Sequence, residues 1–242
     1  ISMKPDIIFE DDQIVIVNKP SGLLTIPDRH SPEKPNLATQ LQKIFGKIFT
    51  VHRLDRETSG IICFAKTAEA HLALSQAFQN RTVKKKYLTV VTGNLMEEEG
   101  RIETGLSPDP VNPGKMKVTK GGKKSLTLYK VLERFKACNY VEAEIMTGRM
   151  HQIRVHFKSI GHPCYVDKLY GKNESISIKD IKQRNLNMSK VPDTVEIPLI
   201  NRTTLHASKL VITHPVTEEE MTFEAPLPKD MKALINQLRK WA

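Results

Sequence analysis

One aspartate between two arginines is the first place where residue types and spacing suggest chemistry. The segment Val51-His52-Arg53-Leu54-Asp55-Arg56-Glu57-Thr58-Ser59-Gly60 puts Asp55 ahead of Thr-Ser-Gly turn residues and just before the β-branched run Ile61 to Ala65. An acid on a bend before a strand can face a substrate, and neighbouring guanidinium groups favour its charged form. Such a carboxylate can serve as a nucleophile or as a general base. The same pattern also describes a surface loop with ordinary Arg–Asp pairing, which is worth little in water; physics alone favours that plainer reading. His52, His151, His156, His162 and His206 lie within the more distinctive segments but are scattered. His151 and His156 are five apart rather than the four of a zinc-binding helix, so no metal site is expected. They read as structural or polyanion-contacting.

The elements that must position these residues are mainly strands. Ile14 to Val17 is a short β-branched run closed by Asn18, Pro20, Ser21 and Gly22, which reads as a buried strand running into a turn. Leu23 to Ile26 is a further short strand candidate. Ile61 to Ala65, Tyr87 to Val91, Leu126 to Leu132, Tyr140 to Met146 and Leu210 to His214 are rich in β-branched or aromatic residues and read as strands. One helix is expected after Thr67 as N-cap, ending near Asn80. A second follows Thr147-Gly148, with Met150, Ile153, Phe157 and Ile160 as its apolar face and Gly161 as its stop; that spacing turns Arg154 toward the exposed side. A third, after Pro228, aligns Met231, Leu234, Leu238 and Trp241 for packing. Ser107 to Ser125 and Lys172 to Pro198 read as long polar loops.

Composition narrows the partners. Lys and Arg outnumber Asp and Glu by 37 to 27, and the resulting net charge of +10 attracts polyanions, nucleic acid first among them. No apolar run approaches the roughly 20 residues that cross a bilayer, and the first ten residues lack signal-peptide segments, so no membrane association is expected. Cys63, Cys138 and Cys164 show neither CxxC spacing nor an even count, which fits buried thiols in a reducing cytoplasm. A length of 242 residues suits one substantial domain, and nothing in it demands more than a monomer.

The segment HRLDRETSG resembles the signature of the RluA family of pseudouridine synthases, and further stretches resemble that family in the same order. They are Asn18-Lys19-Pro20-Ser21-Gly22-Leu23-Leu24, Lys86-Tyr87-Leu88, Lys115-Met116-Lys117-Val118 with Gly122-Lys123-Lys124, Thr147 to His156 with Gly161-His162-Pro163, and Leu205-His206-Ala207-Ser208 with His214-Pro215. The resemblance runs from about Asp6 to Pro228. It implies an α+β fold with a mixed, largely antiparallel sheet in two halves and an active-site cleft between them. Residues 1–242 would then be a single catalytic domain, without the small RNA-binding domain that precedes it in many relatives.

The activity implied is isomerisation of uridine within ribosomal or transfer RNA, with Asp55 as the essential acid. The resemblance makes Arg154 the partner of Asp55, Tyr87 the residue that stacks on the base and assists removal of the C5 proton, and Arg53 a side chain that fills the space left by a flipped nucleotide. Arg149, Lys115, Lys117, Lys120, Lys123 and Lys124 are suited to phosphate contacts. The reaction neither gains nor loses atoms and implies no cofactor. One departure stands out: Val166 occupies the place of a family glycine, and a β-branched residue disfavours positive φ, so the turn carrying Asp167 and Tyr170 is expected to differ. Two other readings remain compatible with the residues, a non-catalytic RNA-binding module and another RNA-directed activity such as base hydrolysis. A zinc deaminase is disfavoured, because the HxE and PCxxC arrangement is absent from the sequence.

Overall fold

The computed structural model describes residues 4–186 and 197–242. In chain order its elements are β1 (Asp6–Glu10), β2 (Ile14–Lys19), α1 (Leu37–Phe45), β3 (Phe49–Thr50), β4 (Ser59–Ala65), α2 (Ala68–Gln79), β5 (Lys84–Thr92), β6 (Glu99–Pro108), β7 (Met116–Val118), β8 (Lys123–Arg134), β9 (Cys138–Ile145), α3 (Gln152–Ser159), α4 (Ile178–Leu186), β10 (Leu205–Thr213), β11 (Glu220–Glu224) and α5 (Lys229–Trp241). The fold is mixed α+β with a largely antiparallel open sheet. Two compact units divide the chain: Ile1–Lys86 with His206–Pro226, and Tyr87–Leu205 with Leu227–Ala242.

In the first unit the strands run β1-β2-β4-β10, with β3 on β4 and β11 on β10. All pair antiparallel except β4 with β10, which are parallel through His206↔Ser59 and Ala207↔Gly60. The close approach of those two strands needs glycine. Gly60 has φ +112°, and a Cβ there would lie 2.0 Å from the Ala207 carbonyl oxygen. One face of this sheet contributes Ile14, Ile16, Ile61, Cys63, Leu210 and Ile212 to a core shared with Ala70 and Leu74 of α2. Thr67 caps α2 by accepting the Ala70 N–H, as its sequence implies.

The second unit orders its strands β5-β9-β8-β6-β7. Val90, Tyr165, Val166, Met231, Leu234 and Leu238 meet in its main core, so α5 packs through the stripe read from the sequence, Trp241 joining at the margin.

Several expectations need correction. Ser107 to Ser125 is not a free loop: it holds the end of β6, all of β7 and the start of β8, with Leu106 paired to Val118 on one side and Lys123 on the other. Within Lys172 to Pro198, Ser177 and Asp180 cap each other reciprocally and start α4, and Ile176 bridges Ile200; residues 187–196 lie outside the described residues. Leu23 to Ile26 yields only a bridge, Leu24 to Asn36. Helix α3 begins at Gln152, leaving Met150 and Ile160 exposed outside it. Its residues Gln152 to Phe157 are buried on every side, so no exposed face exists for Arg154, which is 3% exposed.

Candidate active site

The bend that carries Asp55 is held by the turn after β2. Lys19 closes the apolar strand Ile14 to Lys19 and is itself fully buried. Its ammonium donates to the carbonyls of Pro20 (3.0 Å), Leu23 (2.8 Å) and Arg56 (3.1 Å), matching the three donors of the group to three acceptors. Ser21 Oγ donates to the Glu57 carbonyl at 2.6 Å, and the Gly22 N–H donates to the Arg56 carbonyl at 2.8 Å. On the near side of Asp55, Thr25 Oγ1 donates to the Leu54 carbonyl (2.9 Å) and accepts the Leu54 N–H (3.2 Å). The Thr58 N–H closes the turn onto the Asp55 carbonyl at 3.1 Å. The backbone is thus fixed on both sides of a half-buried Asp55, while Arg53 and Arg56 are exposed.

Two histidines anchor the ends of this bend. His52 stacks on Phe78 at 4.5 Å between centroids, and its Nε2 accepts the Cys63 N–H at 3.0 Å. Burial, with a smaller push from Lys85, lowers its pKa to about 3, so it is a neutral acceptor. Beyond Thr58, Ser59 Oγ lies 3.0 Å from His206 Nδ1, and His206 Nε2 lies 3.3 Å from the Ala225 carbonyl. A carbonyl only accepts, so Nε2 carries the proton and Ser59 donates to Nδ1. Both histidines therefore act structurally.

In the second unit, Arg154 is gripped by Asp167. Its Nε and Nη2 donate to the two carboxylate oxygens at 2.7 Å each, a bidentate fork that fixes the plane of the guanidinium. Burial pushes the Asp167 carboxyl up, but Arg154 and the N–H groups of Leu169 and Tyr170 outweigh it and hold the pKa below the usual carboxylate range. The Tyr170 ring lies 5.0 Å from the guanidinium carbon. Its hydroxyl accepts the Met116 N–H at 2.8 Å and hydrogen-bonds His151 Nδ1 at 2.7 Å. Val166 is fully buried and does not take positive φ, and the turn after it is tied by Asp167 Oδ1, which accepts the N–H groups of Leu169 and Tyr170 at 2.9 and 3.1 Å. Asp167 and Tyr170 support Arg154, roles that the sequence alone leaves undetermined.

Tyr87 stands within β5 and is 8% exposed. Gln152 folds the turn ahead of α3, accepting from Thr147 Oγ1 (2.6 Å) and the Arg149 N–H (3.1 Å). Arg149 is half-buried, and its Nε has no hydrogen-bond partner. Lys115 precedes β7, while Lys123 and Lys124 open β8 opposite Leu106 and Gly105; all three lie on the β6-β7-β8 ribbon, with Lys117 and Lys120. His156 is fully buried between Ser125 and Thr127, and burial lowers its pKa to about 4. Among the described residues, no cluster of three or more His, Cys, Asp or Glu is arranged to hold a metal ion. The strapping residues Lys19, Ser21 and Thr25 have no role assigned from sequence; the signals there are the family-like stretch Asn18 to Leu24 and a lysine ending a strand that opens with four apolar residues.

Both the strapped acidic bend of the first unit and the clamped arginine of the second fall inside the stretch that matches an enzyme-family model. The family described as RNA pseudouridylate synthase matches residues 13–159. This chain belongs to that family. It is 37% identical over 239 residues to ribosomal large subunit pseudouridine synthase D of Nitrosomonas europaea, covering 96% of this chain and 65% of that protein. To the dual-specificity RNA pseudouridine synthase RluA of Escherichia coli O157:H7 it is 37% identical over 223 residues, covering 91% and 92% of the two chains. The chain thus spans somewhat less than two thirds of the length of the Nitrosomonas relative. The human RNA pseudouridylate synthase domain containing 4 shares its fold, with a TM-score of 0.70 over 97% of this chain and 93% of that one at 22% identity.

Proposed function

We propose that this protein is an RNA pseudouridine synthase that isomerises specific uridines in structured RNA, ribosomal or transfer, acting as a monomer in the cytoplasm. The observation that carries the reading is the Asp55 bend, whose backbone is tied on both sides by Lys19, Ser21, Gly22 and Thr25 within the stretch matched to the family.

The N1–C1′ bond breaks, the base turns, and C5 bonds to C1′; the proton leaving C5 is balanced by one gained at N1. Asp55 attacks the sugar or takes a proton at C2′, and either route needs a carboxylate that is ionised and held still. Arg154, oriented by Asp167, is its counter-ion. The target nucleotide must leave its stack, at a cost of a few kcal/mol; Tyr87 stacks on the extruded base and assists C5 deprotonation, and Arg53 fills the vacated space. Arg149, Lys115, Lys123 and Lys124 meet phosphates. The relatives' names, one of the ribosomal large subunit and one of dual RNA specificity, support an RNA substrate, and the free, buried cysteines support the cytoplasm.

The test is tritium release from uridine labelled at C5, using total RNA from cells that lack this enzyme. Native protein should release label without free uracil, and Asp55→Asn should slow release by at least about 10³-fold. Equal release by both would remove Asp55 from the mechanism; free uracil would mark a hydrolase.

A further inference from the structure

Strand β5 opens with Lys84-Lys85-Lys86, three residues after Arg81. Strand alternation turns Lys84 outward and Lys85 inward, and Lys85 is only 9% exposed. Its ammonium lies 5.5 Å from the centroid of the Phe78 ring, on which His52 also stacks. Among the described residues no carboxylate pairs with it and no hydrogen bond is made to it. The charge that bears on it is a second cation: burial first, then Arg81, lowers its pKa. His52 offers no compensation, because its Nε2 is occupied by the Cys63 N–H. A ring face attracts an ammonium only modestly. An unpaired, partly desolvated cation is a cost to the free protein, and such a cost persists most readily where a ligand supplies the missing anion.

We infer that Lys85 and Arg81 form a binding site for a backbone phosphodiester of the RNA, distinct from the lysines of the β6-β7-β8 ribbon. This rests on the pseudouridine synthase reading and extends it. Phosphate suits the pair, since an ammonium supplies a compact charge and a guanidinium a donor fork. The location fits a phosphate close to the target nucleotide. The Phe78 ring touched by Lys85 also holds His52, which directly precedes Arg53 and stands three residues from Asp55, a span of about 10 Å of chain at most.

The deciding variant is Lys85→Met, which keeps most of the apolar stem and removes the charge. The free protein should melt at a higher temperature. Its affinity for total RNA from cells lacking the enzyme should fall roughly tenfold at 0.1 M salt, and its log affinity against log salt should be shallower by about 0.7. In tritium release, KM should rise by a larger factor than kcat falls. Lys85→Arg should recover the salt slope. A lower melting temperature with unchanged affinity and slope would make Lys85 a packing residue and overturn the site, leaving the isomerase reading intact if native protein still releases tritium. Weakened binding by Lys85→Met, with no release even by native protein, would keep the phosphate site and remove the isomerase. No binding of RNA by native protein would remove both.

Discussion

Tyr170 holds three parts of the second unit together, and the contributions of its ring and its hydroxyl can be separated by mutation. Its ring faces the Arg154 guanidinium, while its hydroxyl joins the Met116 N–H of β7 to His151 at the start of α3. Tyr170→Phe keeps the ring and loses the ties to β7 and to His151. Since that ribbon carries Lys115, Lys123 and Lys124, the expected result is a several-fold rise in KM for RNA with kcat nearly preserved. Tyr170→Leu removes the ring as well, withdrawing a buried cation–π contact of about 1–2 kcal/mol from Arg154, and kcat should then fall by roughly tenfold. Single-turnover tritium release separates the two effects. Identical kinetic changes in both variants would show that the hydroxyl and the ring do not act separately.

At the scale of elements, Gly60 is the most constrained point of the first unit. A Cβ at 2.0 Å from a backbone oxygen cannot be relieved by a side-chain rotation, so Gly60→Ala should abolish soluble expression. Gly161→Ala provides the comparison: φ is +87° but the space is open, and the cost should be only about 1–2 kcal/mol, read from the urea midpoint. The strands richest in β-branched residues were legible in the sequence, because such side chains state their preference locally. Helix α4 was missed: residues 172–198 read as a polar loop, and that composition obscured the Ser177 and Asp180 capping pair that starts the helix. The β6-β7-β8 ribbon was not legible, since Met116–Val118 becomes a strand only by pairing with β6. Nor was the orientation of Arg154. Helical spacing assumes one covered face, whereas every position of α3 from Gln152 to Phe157 is buried, and the carboxylate partner of Arg154, Asp167, lies 13 positions further on. Motif order pointed to the segments proposed for the site; the ties from Lys19 and Thr25 that shape the Asp55 bend required the fold.

For the molecule as a whole, His52 and His156 make stability fall on the acid side. Both have a folded pKa, about 3 and about 4, below the ordinary value of about 6.5. Below that ordinary value the unfolded chain binds a proton that the folded protein refuses, so stability rises with pH across the window. Their contribution is fully present above about pH 6.5 and is progressively lost down to about pH 3–4, at up to about 1.4 kcal/mol per pH unit for each ring. Urea midpoints taken at pH 7, 6, 5 and 4 should decline steadily, and a flat profile over that range would contradict the buried neutral imidazoles. The pairing of β4 with β10 sets a different kind of limit, on how the protein is made. The first unit takes its remaining strands from His206 onward, 120 positions after Lys86. At about 5–20 residues per second, roughly 6–24 s of synthesis separate the two. Throughout that interval the edge of β4 that will receive β10 is without it in the nascent chain, and an open strand edge invites pairing with other chains. Translation rate and chaperone supply should therefore govern the yield of this protein more than its final stability does.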